Sequence, residues 1–209
     1  MLRIVVPKGR LEEKLTEFLQ KAGYFLEGDS SILKEGKDLR CFMTRPFDVP
    51  TYLVQGAADI GFCGTDVLLE REISLIQPFF IPTSSSKMVL AGPIGKDLPR
   101  GEKSIATKFP NITRRYCESK GWHYRIISLK GSVELAPVAG LSDLIVDITE
   151  TGRTLRENNL QVLDEILTIR IHTVVNTVSY RTKRGEIIDF LERLRKVVED
   201  AEAQEPERR

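Results

Sequence analysis

Little in this chain points to metal, redox or membrane chemistry. The three cysteines, Cys41, Cys63 and Cys117, are odd in number and far apart along the 209 residues. No pair has metal-ligand or redox-motif spacing, so they read as reduced, packed thiols. The two histidines, His123 and His172, each lie in or beside a strand-like segment, and neither has a histidine neighbour. A histidine-rich metal site is disfavoured on that count, and no Ser–His–Asp constellation assembles from so few imidazoles. No apolar run approaches the roughly 20 residues of a bilayer span. Met1 to Pro7 begins directly as a strand, without the apolar core and small-residue cleavage site of a secretory signal. The expected location is the cytoplasm, with no membrane partner. A net charge of +1 gives no global pull toward nucleic acid, so none is expected as a partner.

What is present is an ordinary globular composition, 41% hydrophobic and 29% charged, in a chain long enough for one large core or two small ones. Apolar runs predict strands over 2–6, 39–44, 58–64, 104–107, 124–129 and 144–148. Helical spacing predicts helices over 11–19, 48–55, 65–70, 110–120, 131–138 and 183–198. Residues 23–37 read as a polar connector, 74–82 as strand-like, and 87–93 as a crossover after the small-residue run Thr83 to Ser86. Gln161 to Val178, rich in β-branched residues, reads as a strand pair or one long strand. The charged residues from Glu199 on lack apolar anchors and are expected to fray. Such alternation predicts α/β architecture with mostly parallel sheets. The crossover and the return suggest two lobes, 1–86 plus 175–209 and 87–174, with a cleft between them as the expected site.

The stretch from Leu144 to Leu155 carries the strongest chemical signal. Four apolar residues surround Asp147, then come Thr149, Glu150, Thr151, Gly152, Arg153 and Thr154, leading into a polar helical segment. A strand, a tight loop and a helix start present unpaired backbone N–H groups, which suit a phosphate. Gly152 permits close approach or a positive φ. A carboxylate in an apolar strand is costly unless it is paired or open to a ligand, and Asp147 is placed to accept hydrogen bonds from a sugar diol. The loop lacks the lysine of a nucleotide P-loop, and Gly61 and Gly64 lack the third glycine of a dinucleotide fingerprint. Their plainest role is close packing at a strand end. Lys8 and Arg10 follow the first strand, where open α/β sheets bind ligands, although a solvated turn reads equally well. Glu134 is either an exposed first-turn acid or part of the site. Thr107, Lys108, Asn111 and Thr113 mark another helix start, read equally as a cap or as a polar-ligand site. Cations at strand ends, a carboxylate and an anion loop suggest catalysis by positioning and electrostatics.

The segment Glu134 to Leu155, ELAPVAGLSDLIVDITETGRTL, resembles the signature of the ATP phosphoribosyltransferases of histidine biosynthesis. Further agreement comes from Pro7-Lys8-Gly9-Arg10, Asp48 to Tyr52, Ala58 to Gly61 and Ile105 to Asn111. The resemblance implies a two-lobed fold of the periplasmic-binding-protein-like type II class. It implies transfer of the phosphoribosyl group of 5-phosphoribosyl 1-diphosphate to N1 of ATP, with diphosphate leaving. It implies that Glu150 to Leu155 hold the ribose 5-phosphate and Asp147 the ribose hydroxyls, with Arg153 given no unique role. Arg10, Arg45 and Asp66 would face ATP or diphosphate, and Lys8, Arg10 and Arg45, with Mg²⁺ on the diphosphate, would stabilise the leaving group. The chain's length resembles the family's short form, which works in a hetero-oligomer with a regulatory subunit related to histidyl-tRNA synthetase. Two rivals stand beside this reading: a nucleotide-salvage phosphoribosyltransferase, which usually shows two adjacent acids before its Thr-Gly-x-Thr loop, and a non-enzymatic two-lobed binding protein.

Overall fold

The computed structural model describes residues 1–9, 11–28 and 31–204. The chain forms two compact units, one of Met1–Leu68, Ile73–Thr83 and the segment from Arg170 on, the other of Leu69–Glu72 and Ser84–Ile169.

In the first unit, strands β1 (Leu2–Pro7), β3 (Leu39–Thr44) and β4 (Ile60–Gly64) are parallel, with β1 between the other two. The short β2 (Leu33–Glu35), inside the segment expected to be a connector, pairs antiparallel with β3. The end of β9 (Leu160–Val175) pairs antiparallel with β4. Both faces of this sheet are covered, which is why β1 is an almost unbroken apolar run rather than an alternation. Ile4 and Val6 pack with Leu15, Phe18 and Leu19 of α1 (Glu12–Lys21) and with Ile187, Phe190, Leu194 and Val198 of α8 (Arg184–Gln204). Val5 packs the other way, against Val49 and Leu53 of α2 (Val49–Val54) and Val67 of α3 (Thr65–Arg71). At roughly 1.5–3 kcal/mol for each fully buried large apolar side chain, the four α8 residues dominate the docking of that helix. Gly61 pairs with Val5, and a Cβ there would lie 2.7 Å from Val5 Cγ1 and 3.2 Å from its carbonyl, so the strand contact itself requires glycine.

Fully buried Asp59 ties this unit together. Its carboxylate accepts from Arg3 (backbone N 2.9 Å, Nη2 3.0 Å), Ser179 Oγ (2.7 Å) and Lys183 Nζ (2.8 Å). Burial alone would raise its pKa, but these bonds win and hold it far below the usual carboxylate range.

In the second unit the strand order is β5 (Phe80–Pro93), β8 (Leu144–Thr149), β6 (Lys103–Thr107) and β7 (Tyr124–Ser128). β6 is parallel to both its neighbours, and β5 runs antiparallel to β8. Helices α4 (Pro110–Ser119), α5 (Leu135–Val138) and α6 (Arg153–Glu157) follow β6, β7 and β8 in chain order. The core joins Val89, Ala91, Ala106, Ile145, Val133, Ala136, Leu155 and Leu160.

Several boundaries differ from the sequence expectation. β5 is one strand of 14 residues that runs straight through the small-residue segment. β9 is one strand of 16 residues and stops at Val175. Thr177 and Val178 instead open α7 (Thr177–Thr182), because the Asn176 side chain caps it by accepting from Ser179 N at 2.7 Å. α8 runs past Glu199 to Gln204, with Ala201 still packed on the core. The three thiols are free and buried, and burial pushes Cys41 up to about 12 and Cys117 to about 11. Among the described residues no helix is long and apolar enough to cross a membrane.

Candidate functional site

The phosphate-loop candidate lies in the second unit. β8 delivers Asp147 near its C-terminal end, half-buried while Leu144, Ile145 and Val146 are fully covered. Asp147 Oδ1 accepts from Ile148 N at 2.9 Å and lies 3.8 Å from Lys108 Nζ. Both contacts fall on Oδ1, so among the described residues Oδ2 is left for a ligand. Burial pushes the Asp147 pKa above the usual carboxylate range. The Ile148 N–H and Lys108 pull it down, while the Glu134 charge adds to the rise. Glu134, half-buried at the N-terminal edge of α5, is thus electrostatically coupled to Asp147.

After β8 the loop turns on itself. Thr149 Oγ1 accepts from Gly152 N (2.9 Å), and Thr151 Oγ1 accepts weakly from Arg153 N (3.4 Å). Gly152 has φ +70° and ψ 9°, the left-handed conformation that L residues avoid. α6 spans only five residues, so little macrodipole accumulates. Any anion affinity must come from the loop and first-turn N–H groups themselves, which have no intrahelical acceptor. Leu155 is 5% exposed and sits in the core, so its side chain is structural. Arg153 is directed to solvent, 80% exposed and paired with Glu157 at 2.7 Å. Glu150, Thr151 and Thr154 are exposed along the loop.

The helix start at Asn111 and Thr113 is not open for a ligand. The Glu70 carboxylate accepts from Asn111 N (3.0 Å) and Ile112 N (3.0 Å), filling the N-terminus of α4 with the chain's own anion. Thr107 is likewise engaged, its Oγ1 donating to Val146 O (2.8 Å) and accepting from Phe109 N (2.9 Å). Lys108 of that cluster is the exception, since its one described contact is Asp147. Sequence reasoning missed this pairing because it depends on the register Thr107↔Val146 between β6 and β8, which no local pattern encodes.

In the first unit, β1 and β3 end side by side, and Lys8 N donates to Thr44 O at 2.7 Å. Lys8, Phe42, Thr44, Arg45, Asp48 and Tyr52 line a cavity of about 530 Å³. The structure therefore brings Lys8 and Arg45 to one cavity at the C-terminal strand ends. Arg10 lies outside the described residues. Asp66, at the start of α3, is not among the residues lining that cavity. It is 8% exposed, and burial pushes its pKa up against N–H bonds from Val67 and its own backbone. Next to it, Thr65 Oγ1 accepts from Arg170 N (3.1 Å) and lies 3.0 Å from His172 Nε2. Among the described residues no group of three or more His, Cys, Asp or Glu side chains is gathered to hold a metal ion.

Two α/β units, each with parallel strands at its centre and an antiparallel strand beside them, have the fold of the periplasmic-binding type II class. A structure titled Tv2483 bound to L-arginine shares this fold alone, at TM-score 0.61 and 12% identity over 98% of this chain and 86% of that one. The particular family follows from stronger matches. The family model described as HisG, ATP phosphoribosyltransferase, matches residues 45–196. The ATP phosphoribosyltransferase of Thermotoga maritima is 73% identical over 199 residues, covering 95% of this chain and 96% of that protein. The enzyme of the same name from Thermotoga petrophila is 70% identical over 208 residues and the whole of both chains. A solved chain from the ATP phosphoribosyl transferase (HisG:HisZ) complex of Thermotoga maritima superposes with TM-score 0.90 at 72% identity, over 96% of this chain and all of that one. The chain belongs to the ATP phosphoribosyltransferase family, the transferases of the first step of histidine biosynthesis.

Proposed function

We propose that the residues described above divide this reaction as follows. The loop Glu150 to Leu155, through its backbone N–H groups other than that of Gly152 and through the hydroxyls of Thr151 and Thr154, holds the 5-phosphate of 5-phosphoribosyl 1-diphosphate. Asp147 accepts hydrogen bonds from the ribose diol, with Glu134 shaping the charge around it, and Thr149 fixes the turn by holding Gly152 N–H. N1 of the ATP adenine attacks C1 from the face opposite the leaving group. The N1–C1 bond forms with inversion as the C1–O bond breaks, and the electron pair departs on diphosphate. Lys8, Arg45 and Arg10 stabilise that developing charge, and Asp66 serves the ATP and diphosphate side of the reaction. The observation that carries this assignment is the half-buried Asp147, its Oδ2 uncommitted among the described residues, ahead of the αL turn at Gly152.

A divalent cation fits as a passenger on the donor's diphosphate, where phosphate oxygens would hold it. Mg²⁺ suits that role, because it retains waters and binds through substrate phosphates, and bound there it would neutralise leaving-group charge. The HisG:HisZ assembly named for the Thermotoga maritima structure supports reading this chain as the short form, working with a synthetase-like regulatory subunit, and we place that assembly in the cytoplasm. The direct test mixes the chain with ATP, 5-phosphoribosyl 1-diphosphate and Mg²⁺ and follows N1-(5-phosphoribosyl)-ATP by absorbance. Product is expected. Its absence, even with the partner subunit supplied, refutes the reading, and donor KM values unchanged in Asp147→Asn refute the assignment of the diol.

A further inference from the structure

The turn that carries Lys108 is held more firmly than a surface loop needs. Thr107 Oγ1 bonds both Val146 O on the neighbouring strand and Phe109 N beyond the turn. Immediately after it, the Glu70 carboxylate clamps Asn111 N and Ile112 N, and Asn111 Nδ2 donates to Glu70 O at 2.9 Å. Lys108 is thus fixed on both sides, and the pairing Thr107↔Val146 sets it beside Asp147. Its ammonium lies 3.8 Å from Asp147 Oδ1, with side chains 34% and 18% exposed. That distance is an ionic contact rather than a tight hydrogen bond, and it falls on the oxygen already fixed by Ile148 N.

Resting on the assignment of Asp147 to the ribose diol, we propose that Lys108 is a positioning residue, which holds the Asp147 carboxylate charged and oriented so that Oδ2 meets the diol. Among the described residues, two charges face Asp147 from the neighbouring segments: Lys108 from the β6–α4 turn and Glu134 from the start of α5. On the adjacent strand β5, Lys87 is instead paired with Glu165 at 2.7 Å. Lys108 is therefore the cation that offsets both burial and Glu134. Without it, the carboxylate takes up a proton at higher pH, and a neutral Asp147 accepts poorly from hydroxyls.

The experiment compares Lys108→Met, Lys108→Arg, Asp147→Asn and the Lys108→Met/Asp147→Asn double variant, as the full chain with its regulatory subunit. It measures donor KM and kcat from pH 5.5 to 8.5. For Lys108→Met the expected result is a donor KM raised roughly threefold at neutral pH, as for loss of a partly exposed ion pair, with kcat and ATP KM little changed. Its donor KM should climb at higher pH than in the parent as the medium is acidified, because the group being protonated starts from a higher pKa. Lys108→Arg should restore the parent profile. In the Asp147→Asn background, Lys108→Met should have no further effect. An equal effect of Lys108→Met with and without Asp147 would mean that Lys108 binds the donor directly and overturns the positioning role. An unshifted pH profile with unchanged KM overturns it as well. If Asp147→Asn itself leaves donor KM unchanged, the diol assignment has failed, and that result is separate from the Lys108 outcome. If Lys108→Met does not fold, Lys108→Gln takes its place in the same comparison.

Discussion

Replacing Gly152 by valine isolates what the loop's backbone conformation contributes. An added Cβ would come within 3.1 Å of Arg156 Nη1. That atom ends an exposed, flexible side chain that can swing aside, so steric conflict is a small part of the cost. The larger part is φ +70°, which costs an L residue roughly 1–2 kcal/mol and a β-branched one at the upper end of that range or beyond. If the loop must hold this shape to cradle the 5-phosphate, donor affinity falls by roughly 5- to 30-fold. Thr154→Ala removes one hydroxyl and should raise donor KM less, by up to about tenfold. Gly152→Ala should fall between the parent and Gly152→Val. Initial rates at saturating ATP and Mg²⁺ give the donor KM, and far-UV circular dichroism melts report whether the fold holds. A Gly152→Val enzyme that melts normally and binds donor like the parent would show the loop to be a helix cap and nothing more.

Two further predictions concern stability. Asp59→Ala leaves Arg3, Lys183 and Ser179 without their shared acceptor. Because the cations are about a third exposed and can rehydrate, the loss should be roughly 2–4 kcal/mol, read as a lower Tm at neutral pH. The folded pKa of Asp59 lies below its unfolded value of about 3.9, so its stabilisation is present above that pH and fades as pH falls below it. Asp59→Ala should therefore flatten the acid limb of the stability profile, and an unaltered limb would contradict the account. His172 behaves in the same sense, in a higher pH window. Burial, then the Arg170 charge, holds its pKa below normal, so the unfolded chain binds the extra proton first. Its neutral form supports the fold above about pH 6.5, and that support is lost as pH drops toward the folded pKa. His172→Gln should reduce the slope of Tm against pH just below 6.5, and an identical slope would refute this.

Strands and helices with strong periodicity were legible in the sequence. Leu39–Thr44, Leu144 onward and the α8 stripe of Ile187, Phe190, Leu194 and Val198 stand where their patterns put them, because burial on a sheet face or helix stripe enforces those patterns directly. Legibility failed where a pattern has two physical explanations. Val178 is β-branched but helical, since the Asn176 cap decides where the chain turns. The small-residue run Thr83 to Ser86 reads as leading into a crossover, yet it lies inside one continuous strand, Phe80–Pro93. The site divides in the same way. Asp147 and the αL position of Gly152 were visible as a carboxylate in an apolar run and a glycine between hydroxyls. The neighbours that set the chemistry of Asp147, Lys108 and Glu134, reach it through strand register and helix placement, and those are properties of the fold rather than of any local window. Glu70, separated from Asn111 by 41 positions, was invisible for the same reason.

Glu70 also bears on selectivity. An enzyme that handles two polyphosphorylated substrates swims in the anions that any exposed cluster of amide groups would collect. At the start of α4 the chain supplies its own occupant, a carboxylate on a tether, whose local concentration no dissolved phosphate can match. It works as a built-in stopper: a decoy position close in sequence to Lys108 stays filled, and the substrate's phosphate is not drawn there.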